Sequence, residues 1–192
     1  PSVTPTPTQT LTPSITPTPT STISPGECRE LIINGDAESF EGWHVLPSNY
    51  AAGYSTVEYH SPIRSLRMGI ELYGWHPPYH TYSIFEQPLL IPAEASHLTL
   101  GLWYYTVSSG GPADTDWASL SIIVDATGTQ YELMRWHYPD TDTREWQYME
   151  WGDAALLSFA GQYVTLHMEV YNNGEGGTTA LYVDDVSLLV CR

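Results

Sequence analysis

Lysine is absent from this chain of 192 residues, and its six basic residues are all arginine: Arg29, Arg64, Arg67, Arg135, Arg144 and Arg192. Without lysine there is no Schiff-base chemistry, no Walker-type phosphate loop and no Lys–Asn isopeptide staple. Positive charge is scarce altogether. Twenty-two acidic residues leave a formal net charge of −16, a surface that repels phosphate backbones and anionic headgroups and argues against nucleic-acid or membrane partners. No apolar run approaches the roughly 18 residues of a membrane span. No signal peptide is visible and the chain opens on Pro1, as expected of a processed chain or a segment of a longer polypeptide. There is no N-x-[ST] sequon, so any glycan on the chain is O-linked.

Cysteine is nearly absent too. Cys28 and Cys191 bracket the folded region almost end to end and read as one disulfide, the alternative being two unrelated buried thiols. Such a bridge is worth roughly 5 kcal/mol on the chain-entropy model. It requires the first and last strands to be neighbours, with Cα atoms within about 7 Å, and it implies an oxidising compartment, secreted or at the cell surface. Phenylalanine is rare at three residues, against seven Trp and fourteen Tyr. Polar-tipped aromatics suit half-exposed β-surfaces and binding faces.

What is present divides the chain at Gly26–Glu27. Residues 1–26 hold nine Thr, seven Pro, four Ser and no charge. Proline fixes φ and removes donors, so this arm favours extended polyproline II and cannot pack a core. At ~3.1 Å per residue it spans ~80 Å. Its composition is that of an O-glycosylated stalk, with Thr4, Thr6, Thr8, Thr10, Thr12, Thr16, Thr18, Thr20 and Thr22 as acceptors, or of a plain spacer. Val3, Leu11, Ile15 and Ile23 are its large apolar side chains and its candidate docking points.

Residues 27–192 read as β throughout, with strands expected over 29–33, 41–46, 54–59, 64–71, 80–87, 96–107, 117–124, 129–136, 145–151, 162–171 and 179–190. Period-two alternation places Leu98, Leu100 and Leu102 on one face of their strand, and Val164, Leu166, Met168 and Val170 on one face of theirs. Breakers such as Gly110-Gly111-Pro112 and Asn172-Asn173-Gly174 separate the runs, and only Asp153–Phe159 has helical character. The expected fold is all-β, a two-sheet antiparallel β-sandwich of jelly-roll type with an extended N-terminal Thr/Pro-rich arm.

Three stretches sharpen this: Asn34-Gly35-Asp36-Ala37-Glu38-Ser39-Phe40-Glu41-Gly42-Trp43, Ser61-Pro62-Ile63-Arg64-Ser65-Leu66-Arg67-Met68-Gly69, and Leu181-Tyr182-Val183-Asp184-Asp185-Val186-Ser187-Leu188. With Phe159–Leu166 they resemble the jelly-roll, galactose-binding-like modules of bacterial extracellular proteins, a group that includes carbohydrate-binding modules. The resemblance implies a structural Ca²⁺ between the first and last strands. Glu38 and one of Asp184 and Asp185 would be ligands, with backbone carbonyls near Asn34, Asp36 and Arg64–Ser65; the alternative is that Asp184-Asp185 ends a strand with solvated charge.

Catalytic patterns are missing. The seven histidines show no zinc spacing, both cysteines are spent, and no G-x-S-x-G elbow occurs. Asp114/Asp116 and Asp140/Asp142 are carboxylate pairs of the sort glycoside hydrolysis uses, but acidic loops are ordinary on so negative a chain, and no enzyme is expected. The binding candidates are aromatic: Trp75 and Tyr79 in a Pro-rich loop, and Trp136 and Tyr138, rings on which a sugar can stack, unless they fill the core or a subunit contact. Trp43, Trp103 and Trp151 are expected to be packed. The leading functional reading is a structural or adhesive building block of a filament, sheath or stalk, contacting other copies or neighbouring modules. The alternative is a carbohydrate-binding module on a linker, or an accessory domain of a secreted hydrolase.

Overall fold

The computed structural model describes residues 23–71, 80–110, 115–138, 141–175 and 177–192. The Thr acceptors Thr4–Thr22, Trp75 and Tyr79 lie outside these residues, as do Asp114 and Asp140. Among the described residues eleven strands run in order: β1 Cys28–Glu30, β2 His44–Val45, β3 Gly53–Ser55, β4 Ser65–Gly69, β5 Thr81–Leu90, β6 His97–Ser108, β7 Trp117–Val124, β8 Thr129–His137, β9 Gln147–Trp151, β10 Tyr163–Asn172 and β11 Thr179–Cys191. The helix α1, Asp153–Leu156, runs into a 3-10 turn at Leu157–Phe159, where the sequence showed its one helical stretch.

The strands form two antiparallel sheets. One has the order β3-β4-β11-β6-β9, with β1 sharing an edge of β11; the other has the order β2-β5-β10-β7-β8. Alternation decides what lies between them. Leu98, Leu100 and Leu102 of β6 and Leu181, Val183 and Leu188 of β11 face Phe85 of β5, Leu120 and Ile122 of β7, and Val164, Leu166 and Met168 of β10, all buried. The expected two-sheet sandwich is what the chain forms.

The chain ends meet as the cysteines require. Cys28 and Cys191 are bonded, directly opposite one another in the β1–β11 ladder, with Cα atoms 4.0 Å apart. Ile23, the last apolar residue of the arm, is buried beside them; its N–H donates to Glu94 at 3.0 Å and its carbonyl accepts from Arg192 at 3.1 Å. The motif at Asn34 is a folded loop. The Asn34 side chain accepts the Ser39 N–H at 2.8 Å and donates to the Ser39 and Glu41 carbonyls at 3.0 and 3.1 Å. Its own carbonyl takes the Trp43 indole N–H at 2.9 Å, which seats Trp43 in the core. Gly35 passes so close to β11 that a Cβ there would lie 1.8 Å from the Val186 carbonyl oxygen. Opposite it the β11–β6 ladder slips between Asp184 and Ser187, a bulge that turns both Val183 and Val186 inward.

Candidate functional site

The same alternation that fills the core puts a second set of side chains on the outer face of the five-stranded sheet. From β10 these are Tyr163, Thr165, His167, Glu169 and Tyr171, and the ladder registers Tyr171 with Tyr82 of β5 and with Trp117 of β7. The three rings form a compact cluster. Tyr82 and Tyr171 have centroids 5.0 Å apart, and Trp117 stacks on Tyr171 at 5.5 Å and stands 6.3 Å from Tyr82. Arg135, registered with Ser119 on β8, lays its guanidinium 4.1 Å from the Trp117 ring centre, a cation–π contact. Trp117 is thus held in place by Tyr171 and Arg135, while Tyr82 remains 39% exposed. His80 approaches Tyr171 and Tyr82 at 6.2 and 6.4 Å.

Beside Tyr82 a cleft of about 570 Å³ opens between β5 and the segment after β2, lined by Pro47, Ser48, Asn49, His80, Tyr82 and Ile84. That volume is in the range of ligand sites. Polar groups follow along the face. Ser119 donates to Glu169 at 3.3 Å, His167 shares 2.7 Å with Glu86 and 3.6 Å with Glu169, and Arg135 pairs with Glu132. Burial works against a charge on His167, but the hydrogen bonds and negative charge of Glu169 and Glu86 outweigh it and raise its pKa.

Sequence reasoning missed this cluster because its members are far apart in the chain. The available signal was the alternation of β10 extended to its polar phase, which puts Tyr171 on the face opposite Val170. The rings expected to bind on β8 turn inward instead. Trp136 registers with Ala118 and is 1% exposed, and Tyr138 is 3% exposed with its hydroxyl donating to the Ala180 carbonyl at 3.3 Å. Burial drives the Tyr138 phenol far above its ordinary pKa. Neither ring reaches a ligand at the surface; their neighbours Arg135 and His137 face outward instead. Trp43 is packed as expected and Trp151 lies against the core, but Trp103 stands half-buried on the outer face of the other sheet.

The carboxylates expected around calcium are engaged by donors of the chain itself. The buried Asp184 carboxylate accepts N–H donors from His60, Ser61 and Asp185 at 2.8–2.9 Å and the Ser61 hydroxyl at 3.3 Å. Asp185 holds the His60 ring at 2.6 Å, and Glu38 takes the Arg64 N–H at 2.9 Å. A cation at this place would have to compete with these N–H donors for the same oxygens. Among the described residues no group of three or more His, Cys, Asp or Glu is placed to hold one. The carboxylates of the loops are likewise engaged: Asp116 accepts from Asn172 and from the Asn173 N–H, both at 2.7 Å, and so anchors the start of β7 beside Trp117, while Asp142 takes the Ser108 N–H at 3.1 Å and the Arg144 Nε at 3.3 Å.

No protein-family model matches the chain, and no curated protein matches it either. Solved structures do. TmCBM61, determined in complex with β-1,4-galactotriose, is 14% identical over 83% of this chain and 97% of its own, with a TM-score of 0.55. The K3 adhesin domain of Lys-gingipain from Porphyromonas gingivalis W83 is 16% identical over 85% of this chain and 99% of its own, with a TM-score of 0.53. At such identity the likeness is one of fold. The chain carries the two-sheet jelly-roll sandwich found in carbohydrate-binding modules.

Proposed function

We propose that this chain is a non-catalytic saccharide-binding module of an extracellular protein, with Tyr82, Tyr171 and Trp117 as its stacking surface. The observation that carries the proposal is the cluster itself: three aromatic rings gathered on the solvent side of a sheet, next to an open cleft. The apolar C–H face of a pyranose packs on such rings, and its hydroxyls find acceptors and donors in Glu169, Arg135, Ser48 and Asn49. The complex of TmCBM61 with a galactose oligomer on the same fold supports a glycan ligand. The disulfide supports an extracellular setting, and no helix among the described residues is long and apolar enough to cross a membrane. The Thr/Pro arm serves as tether, carrying O-linked sugar on its threonines. The filament or stalk reading finds no counterpart in TmCBM61, whose complex with a galactose oligomer favours the saccharide reading.

A glycan array of neutral and acidic polysaccharides tests it, with affinity electrophoresis for quantitation. The wild-type chain is expected to bind at least one glycan, and Tyr82→Ala and Trp117→Ala to weaken that binding by roughly tenfold or more each. A flat array, or binding indifferent to both substitutions, overturns the proposal.

A further inference from the structure

Rings outside the cluster at Tyr82 stand on both outer faces, and they differ in how open they are. On the six-stranded sheet Tyr148, Trp103, His60, Trp146 and Tyr105 follow one another as a strip, with centroids 5.5, 3.9, 5.8 and 5.6 Å apart. Each ring of the strip packs against the next. It ends 5.9 Å further on at Tyr182, which lines a cavity of about 320 Å³ but is itself only 2% exposed. On the five-stranded sheet Tyr163 stands alone. It is 63% exposed, and no other ring among the described residues lies against it.

Tyr163 shares the outward phase of β10 with Tyr171, and the ladder to β5 runs unbroken from one to the other. Eight residues separate them, about 27 Å along the strand. The backbone under Tyr163 is held from two sides. Gly161, at φ +79°, turns the chain into the strand and donates its N–H to the Ile91 carbonyl at 2.9 Å, and the Tyr163 carbonyl accepts the Asp125 N–H at 3.1 Å. Beside the ring opens a cleft of about 510 Å³, lined by Asp125, Ala126, Gly161 and Gln162, a volume in the range of ligand sites. One oxygen of Asp125 takes the Thr165 hydroxyl at 3.0 Å, and the Gln162 amide donates to the Ser158 carbonyl at 2.8 Å. The other Asp125 oxygen and the Gln162 amide oxygen accept no hydrogen bond among the described residues. An open ring beside a cleft, with acceptors at hand, repeats in small what the Tyr82 cluster provides at the other end of the strand. Between the two lie only the polar outward positions Thr165, His167 and Glu169.

We propose that Tyr163 and its cleft form a distal subsite of the same glycan face, and that the ligand is a long, unbranched stretch of polysaccharide lying along β10 rather than a chain end or a short oligomer. The inference rests on the saccharide reading above and deepens it. One pyranose stacks on Tyr82 and Tyr171, another stacks on Tyr163 with its hydroxyls donating to Asp125 and Gln162, and the units between them cross the polar middle of the face. Once the first platform is occupied, the second contact is intramolecular and forms at a high effective concentration.

The test is calorimetry on the full chain with unbranched β-1,4-linked galacto-, gluco-, xylo- and manno-oligosaccharides, each as the trisaccharide and the octasaccharide. The first is shorter than the span between the two platforms and the second is longer. In at least one series the octasaccharide is expected to bind roughly tenfold or more tightly than the trisaccharide. Tyr163→Ala is expected to bring the octasaccharide down to the affinity of the trisaccharide and to leave the trisaccharide as it was, whereas Tyr163→Phe keeps the difference. Because the ring is exposed, the melting temperature is expected to stay where it is in both variants. Equal affinity for the two lengths, or a length preference that survives Tyr163→Ala, overturns the distal subsite while the platform at Tyr82 stands. If no series binds at either length the distal subsite falls as well, and the glycan array decides the platform separately.

Discussion

The two outer faces are built by one rule and end in different states. On the five-stranded sheet, the ionisable groups near the rings partner each other: His167 lies between Glu86 and Glu169, and Arg135 lies between Glu132 and Trp117. On the six-stranded sheet, one ring, His60, is locked to the backbone bulge of β11 through Asp185, and the carboxylate of Glu71 is left with an unanswered oxygen. The first face is a finished, rigid platform beside a cleft. The second is a strip of rings ending in a cavity beside a carboxylate oxygen that accepts no hydrogen bond. The difference teaches that outward aromatics alone do not describe a surface; whether the charges around them are already answered decides what each can still take.

The largest effect that separates inward from outward positions is on stability. Trp136→Ala is expected to cost 3–5 kcal/mol, whereas Trp117→Ala, on the neighbouring strand but outward, is expected to cost roughly 1 kcal/mol or less; urea melts of the two variants compare them directly. Equal losses would mean that the outer cluster is a second core. Next, Cys28→Ser is expected to lower stability by about 2–5 kcal/mol while leaving oligosaccharide affinity through the five-stranded sheet unchanged in calorimetry, because the bond belongs to the other sheet. A smaller effect belongs to His167. Its pKa is raised on folding, so its pairing with Glu86 and Glu169 stabilises fully below the ordinary histidine pKa of about 6.5 and is lost as pH rises through the raised value. His167→Gln is expected to flatten the stability profile between about 6.5 and the raised value, by on the order of 1 kcal/mol. The smallest expected effect is that of chelation: with Asp184 and Asp185 already engaged by N–H donors and His60, EDTA is expected to leave the melting temperature where it is. A calcium-dependent rise in melting temperature would show that the segment around His60 rearranges to release them.

Much of the fold is legible in the chain because local alternation and breakers specify it. β7 runs over the span its pattern marks, and Leu98–Leu102 and Val164–Val170 face the core as their period demands. Short strands were read too long: the stretch read as 41–46 is a strand only at His44–Val45, because Asn34 captures the backbone of Ser39 and Glu41 and holds the preceding residues in a loop. The disulfide was legible because only two cysteines exist. The site was not. Tyr82, Trp117 and Tyr171 meet only through ladder register, a long-range property that spacing does not reveal. Trp136 and Tyr138 were chosen for ring type, whereas the phase of β8 decides which side they take.

The bond that closes the sandwich also governs how the module bears load. Ile23 is tied to Glu94 and Arg192, and Cys28 faces Cys191, so tension applied between Ile23 and Arg192 crosses from one sulfur to the other. The sheets hang beside that line of force like a weight on a closed shackle. A pull strong enough to peel strands from an unbridged sandwich would stretch only the few residues outside the link.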